Sequence, residues 1–287
     1  MLAFAAPPLS SADPLLQWQL APPLIAVAGA GLLYALGFRR RARRRRKVWP
    51  DAVCFAMALA ALVLVLASPI ATYDDELFWV HMLQHVLILT VVPPLVLLGR
   101  PWATIARAAP RRVLRTVALL ARDGPPVLHW LARPPVALGL FCVALAAWHL
   151  PPLYDATLRS AAIHELEHAM FLATGLLFWS QLIDSPPFRS RLDYGARAVY
   201  AGLAMLTGWV LAVVLAMASA PLYSGYAALD SRPGGISALS DQQLAAGVMW
   251  VPGSLSLTAV LVVFVYRWLD QSAAGRKRVT TRAGAET

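Results

Sequence analysis

Apolar runs recur along the whole chain, separated by short polar and arginine-rich stretches. Each run is close to the roughly 20 residues a helix needs to cross a hydrocarbon core. The pattern predicts an all-α fold, a polytopic membrane bundle of seven transmembrane helices within residues 20–269. Spans are expected over 20–38, 51–70, 79–98, 134–150, 163–183, 198–219 and 241–266. Pro93 and Pro94 fall inside the third, where a missing N–H and a clash with the preceding turn predict a kink. Residues 1–19 carry no Lys or Arg, and so lack the basic start of a signal peptide. They are expected to form a short exported tail, and residues 270–287 a cytoplasmic one.

Composition and charge orient this bundle. A chain that is 59% hydrophobic and 14% charged is not an ordinary soluble globule. Placing the N-terminus outside and the C-terminus inside puts 23 of the 25 Lys and Arg on the inner side, leaving only Arg159 and Arg232 outside. That asymmetry is a strong positive-inside signal. The net charge of +10 then reads as topology plus attraction to anionic lipid headgroups, with no nucleic-acid partner. Residues 100–133, with apolar residues between arginines and a Gly124-Pro125-Pro126 break, read as an amphipathic element along the inner surface. The outer side holds Asp13, Asp74, Asp75, Glu76, Asp155, Glu165, Glu167, Asp230 and Asp241. Such a face attracts cations, although positive-inside sorting alone also leaves acids behind. Cys54 and Cys142 have no CxxC or CxC partner and read as small apolar fillers.

The same topology gathers five of the six histidines at one level. HMLQH carries His81 and His85, HELEH carries His164 and His168, and WHLPP carries His149. Spans three and five begin at the outer side and span four ends there, so three helices deliver imidazoles to one layer. The seventh span begins there with Asp241, Gln242 and Gln243. Ionisable groups at the margin of a membrane helix are costly and point to function, and i, i+4 imidazoles can grip one ion. His129, beside Trp130 on the inner side, reads as an interfacial packing residue.

Neutral imidazole suits copper, zinc and iron. Glu165, Glu167 and Asp241 are placed to hold the rings' other nitrogens. Met82, Met170 and Met249 lie on the same helices, and thioether favours reduced copper. Two alternatives stay open. HELEH matches H-E-x-x-H, in which Glu165 would be the general base of a zinc metalloprotease and His149 or Asp241 a third ligand. A haem could instead take two histidines from facing helices, such as His85 and His168.

Three segments together, HMLQHVLILTVVPPLVLLGRP, WHLPPLYDATLRSAAIHELEHAMFLATGLLFW and SDQQLAAGVMWVPGS, resemble the CtaG-like cytochrome c oxidase assembly factors of bacteria, the polytopic type. The resemblance runs from about residue 20 to 269. It implies a non-enzymatic seven-span protein of the bacterial plasma membrane that helps mature a haem–copper oxidase by supporting copper delivery. The family's histidine motifs fall on His81, His85, His149, His164 and His168. Its last-span motif falls on Asp241, Gln242, Gln243, Met249 and Trp250. Copper would be held transiently, with an oxidase subunit and an exported copper donor as partners. The resemblance does not extend to the unrelated assembly factors that carry a cysteine pair on an exported domain.

Overall fold

Prolines decide where most of the helices begin and end. A computed structural model describes Trp18 and residues 21–42, 48–123, 125–186 and 189–283. The expected exported tail lies outside the described residues except for Trp18, as do Arg43 to Lys47 of the first arginine run, Gly124 of the expected break, and the last four residues. Helix α1 spans Leu24–Ala42 and α2 spans Trp49–Ala67. Pro50 sits in the first turn of α2, where an N–H would have no partner anyway, and Asp51 beside it suits the helix dipole. The helix stops at Ser68, held extended ahead of Pro69 (ψ 178°). After α3 (Ile70–Tyr73), helix α4 (Phe78–Val86) passes into a π-helical segment, Leu87–Val91, and then α5 (Val92–Leu98).

Short helices α6 (Pro101–Ile105), α7 (Arg111–Asp123) and α8 (Pro126–Leu131) occupy the arginine-rich stretch. Then come α9 (Pro134–Trp148), α10 (Pro151–Arg159), α11 (Ala161–Trp179), α12 (Tyr194–Met217), α13 (Ser224–Ala227) and α14 (Ala238–Ala283). There is no strand among the described residues. Asp193 caps α12 by accepting the Ala196 N–H at 2.8 Å. Arg197 pins the preceding loop, its guanidinium reaching both oxygens of Asp184 at 2.9 and 3.0 Å.

Among the described residues, four helical stretches are long and apolar enough to cross a membrane: Trp49–Tyr73, Phe78–Leu98, Tyr194–Met217 and Ala238–Ala274. A fifth follows if α9 and α10, which meet at 72°, form one bent span. The bend falls at the end expected for the fourth span, because Leu150 is held extended (ψ 129°) ahead of Pro151 and Pro152; α9 alone, at 15 residues, is short for a crossing. Helix α1 runs into Arg39, Arg40 and Arg41 at its end. Helix α11 is made less apolar by His164, Glu165, Glu167 and His168 themselves. Helix α14 continues to Ala283, well beyond the end expected near residue 266.

The expected kink at Pro93-Pro94 takes the form of the π-segment. The Leu89 carbonyl would meet the N–H of residue 93 in an α-helix or of residue 94 in a π-helix, and both are prolines. The indole Nε1–H of Trp179 on α11 donates to it instead, at 2.9 Å. Helix α11 rides close at this point: a Cβ on Gly175 would lie 3.0 Å from Pro93 Cγ. The same device recurs at Pro69, which leaves the Val65 carbonyl without its helical donor; the Gln84 side-chain amide donates to it at 3.1 Å. Removing a donor strands a buried carbonyl, at about 1–3 kcal/mol. Trp179→Phe is therefore expected to lower stability by that amount, measured by thermal unfolding in detergent, whereas Trp268→Phe on the exposed part of α14 should change it little.

These fastenings place α11 against α5 and the π-segment, α4 against α14, and α14 against α12. A core cluster that includes Phe78, Met82, Tyr154, Tyr223, Tyr226 and Met249 packs where α4, α10, α13 and α14 meet. It lies beside the histidines.

Candidate metal centre

Four of the five expected histidines converge. His81, His85, His164 and His168 each offer a ring nitrogen, and these atoms all lie within 4.8 Å of one another. The i, i+4 spacing puts each pair on one helix face, and the contact of α11 with the α4–π–α5 span turns the two faces together. Ring centroids are 4.4 Å apart for His81 and His85, 4.3 Å for His164 and His168, and 4.8 Å across the helices for His81 and His164. His149 stands at the edge, its ring 6.3 Å from that of His85. His129 is exposed on α8, ahead of the opposite end of α9 from His149.

The two glutamates of HELEH part company. Glu167 shares a helix face with His164 and His168, is fully buried, and lies 3.5 Å from His81 Nε2 and 3.4 Å from His85 Nε2. Neither of its carboxylate oxygens has a hydrogen-bond partner. Glu165, expected as an accessory or general base, is exposed. One residue along a helix is a rotation of about 100°, which carries its side chain off the histidine face. His85 and His168, the pair expected for a haem, pack edge to face with ring centroids 5.6 Å apart.

Asp241 and Gln242 hold backbone rather than imidazole. Asp241 is fully buried, and its two oxygens accept the N–H groups of Phe78 and Trp79 at 2.8 and 3.0 Å. It therefore caps, from α14, the helix that carries His81 and His85. Gln242 accepts the Leu222 N–H and donates to the Leu215 carbonyl, fastening the end of α12. Asp155 does the same for α13, accepting from Ser224 and Gly225. The acids expected to gather cations at the outer side are thus partly spent on helix ends; Asp75, Glu165 and Asp230 remain exposed.

Residues without a sequence signal complete the site. The Tyr226 hydroxyl donates to the Asp74 carbonyl and lies 3.2 Å from His81 Nδ1. Burial pushes the Tyr226 pKa far up, so its one proton stays and is committed to Asp74. His81 must then donate from Nδ1, which leaves its Nε2 lone pair facing His85 and Glu167. The Asp74 carboxyl lies 4.0 Å from His164 Nε2. Burial first, and then the Asp75 charge, raise its pKa well above the ordinary range, so the negative charge at the cluster comes from Glu167. His164 Nε2 and His168 Nε2 are buried and have no hydrogen-bond partner among the described residues.

Buried nitrogens with free lone pairs beside an unpartnered carboxylate form a donor set that a cation satisfies. The model of the cytochrome c oxidase caa3 assembly factors matches residues 32–271, nearly all of the chain and every residue of this cluster. The chain belongs to that family. Among curated proteins this assembly-factor chain is similar to an uncharacterized protein of Mycobacterium bovis, 29% identical over 90% of the chain, and to one of Mycobacterium leprae, 26% identical over 84%. It spans only 40% and 38% of those proteins' lengths. No solved structure matches it.

Proposed function

We propose that this chain is an assembly factor for a haem–copper oxidase of the bacterial plasma membrane, and that copper is its cargo rather than a resident cofactor. The reading is carried by one observation: four imidazoles from two helices meet around a fully buried carboxylate that, among the described residues, is paired with no lysine or arginine. Copper(I) would be held by nitrogens of His81, His85, His164 and His168. Glu167 would neutralise its charge, because a lone buried carboxylate is costly and a monovalent cation removes that cost. Cu(I) needs fewer ligands than this cluster offers. Exchange among the spare imidazoles lets the ion be passed on without oxidation or reduction, to an oxidase subunit and from an exported donor.

The membrane arrangement belongs to the same proposal. Helices α1, α2, the α4–π–α5 unit, α9, α11, α12 and α14 serve as seven spans, with the N-terminus outside. Residues 20–269 form the membrane domain, and the histidine layer faces the outer side. The charge asymmetry supports this orientation.

Metal analysis after anaerobic Cu(I) loading tests the cargo. The wild type is expected to retain nitrogen-bound copper that a variant with His81, His85, His164 and His168 all changed to Ala loses, and oxidase maturation should fail with it. Equal retention by the two proteins would overturn the site. Zinc retained in preference to copper at equal supply would overturn the choice of metal.

A further inference from the structure

We propose a second, sulfur-containing site for the ion, in a cavity next to the histidine cluster. The cavity has a volume of about 50 Å³, room for a few water-sized bodies. Its walls are mostly apolar, and its lining includes His85 and Met82 from α4, His149 from the end of α9, and Met249 from α14. Both thioethers and both imidazoles are buried.

Two unsatisfied nitrogens mark it as a ligand site. His149 Nδ1 lies 2.7 Å from the Leu145 carbonyl, which can only accept. The proton is therefore on Nδ1, and Nε2 carries a lone pair that is buried and without a partner. His85 is divided between two environments. Its Nε2 lies 2.9 Å from His81 Nε2 within the cluster, while its Nδ1 is buried and has no partner. An unmet buried polar atom costs about 1–3 kcal/mol, and two around one cavity call for an occupant.

The donor set specifies the occupant's chemistry. The two hydroxyls at the cavity each donate to a carbonyl of their own helix and bring only neutral oxygens. Thr90 donates to the Val86 carbonyl at 2.8 Å, and Ser254 donates to Trp250 while accepting from Trp209. With no carboxylate in the lining, the strongest donors are imidazole nitrogen and thioether sulfur, a set that suits a soft monovalent ion, Cu(I) or its analogue Ag(I), and not Mg²⁺ or Ca²⁺, which take six or more oxygens. Met205 also lines the cavity, but Thr258 already donates to its sulfur at 3.7 Å. His85, with one nitrogen in each environment, is the hinge of transfer. The ion exchanges imidazole ligands in the cluster for Met82, Met249 and His149, with no change of oxidation state. The direction of travel rests on the copper reading of the four-histidine cluster; the site itself does not.

The full chain, purified in detergent and washed free of metal, would be titrated anaerobically with Cu(I). Stoichiometry and copper-edge X-ray absorption would be read together. The wild type is expected to take two ions, with both sulfur and nitrogen scattering. Met82→Leu with Met249→Leu, nearly volume-conserving changes, should take one ion with nitrogen scattering alone. His81→Ala with His164→Ala should keep the sulfur-bound ion and lose the other. Nitrogen-only scattering at saturation in the wild type, or sulfur scattering surviving in the leucine variant, would overturn the second site. Loss of the sulfur-bound ion alone would leave the histidine cluster standing, and the converse result would remove the cluster while leaving the cavity site.

Discussion

Replacing Glu167 by glutamine should weaken Cu(I) binding about 10- to 100-fold, the usual effect of losing a group that supports a metal site, without loosening the apo protein. The carboxylate is fully buried, 3.4–3.5 Å from two imidazole nitrogens. With copper absent, it is a buried charge with no full partner, and removing such a charge while keeping its shape is neutral or stabilising. With copper present, it supplies the one negative charge that balances the ion in a low-dielectric layer, where Coulomb interactions are weakly screened. The two effects have opposite signs. Competition against a Cu(I) chelator and thermal unfolding of the apo protein read them separately. Unchanged affinity in Glu167→Gln would remove charge neutralisation from the mechanism. Glu165→Gln, on the exposed face, should alter neither measurement, whereas a metalloprotease would lose its activity with it.

Asp241→Ala is expected to cost about 3 kcal/mol of stability and to weaken copper binding as a consequence. The carboxylate accepts two backbone N–H groups at the first turn of α4. Hydrogen bonds to a charged acceptor are worth about 1.5–3 kcal/mol each, and of the donors left behind one is buried and the other partly buried. Losing the cap frees the turn that carries His81, so the cluster should widen. Asp241→Asn keeps one acceptor oxygen and should recover roughly half of the loss. Chemical or thermal unfolding in detergent measures the series. If Asp241→Ala bound copper normally and unfolded like the wild type, the cap would have no part in holding the site.

The histidine cluster was readable because helical spacing is a local property that survives into the fold. Two i, i+4 pairs, on helices expected to run the same way from the same side, were expected to share a depth, and four of the five imidazoles do meet. Glu167 was readable in the same way, since i, i+3 and i+4 place it on the face of His164 and His168; the HExxH pattern drew attention to Glu165 instead. The carboxylate of Asp241 looked like a ligand support because its type and level were right. Its real partners are backbone N–H groups of Phe78 and Trp79, more than 160 residues away along the chain. The fourth span stops where expected, ahead of Pro151 and Pro152, but α9 has only 15 residues and is long enough to cross only if α10 beyond the bend is counted with it.

Prolines show most clearly what belongs to each level. That the Val65 and Leu89 carbonyls lose their helical donors follows from Pro69 and from Pro93 and Pro94, because a ring nitrogen has no hydrogen to give. That Gln84 and Trp179 fill them is decided by which helices lie alongside. The same division holds for the metal centre. Residue type and helical period determined which nitrogens could face one way and at what depth. Only packing decided that α4 and α11 present them to each other, that His149 falls into a cavity with Met82 and Met249, and that Tyr226 sets the tautomer of His81. Periodicity is written residue by residue, whereas adjacency is chosen by the burial of whole helix faces at once.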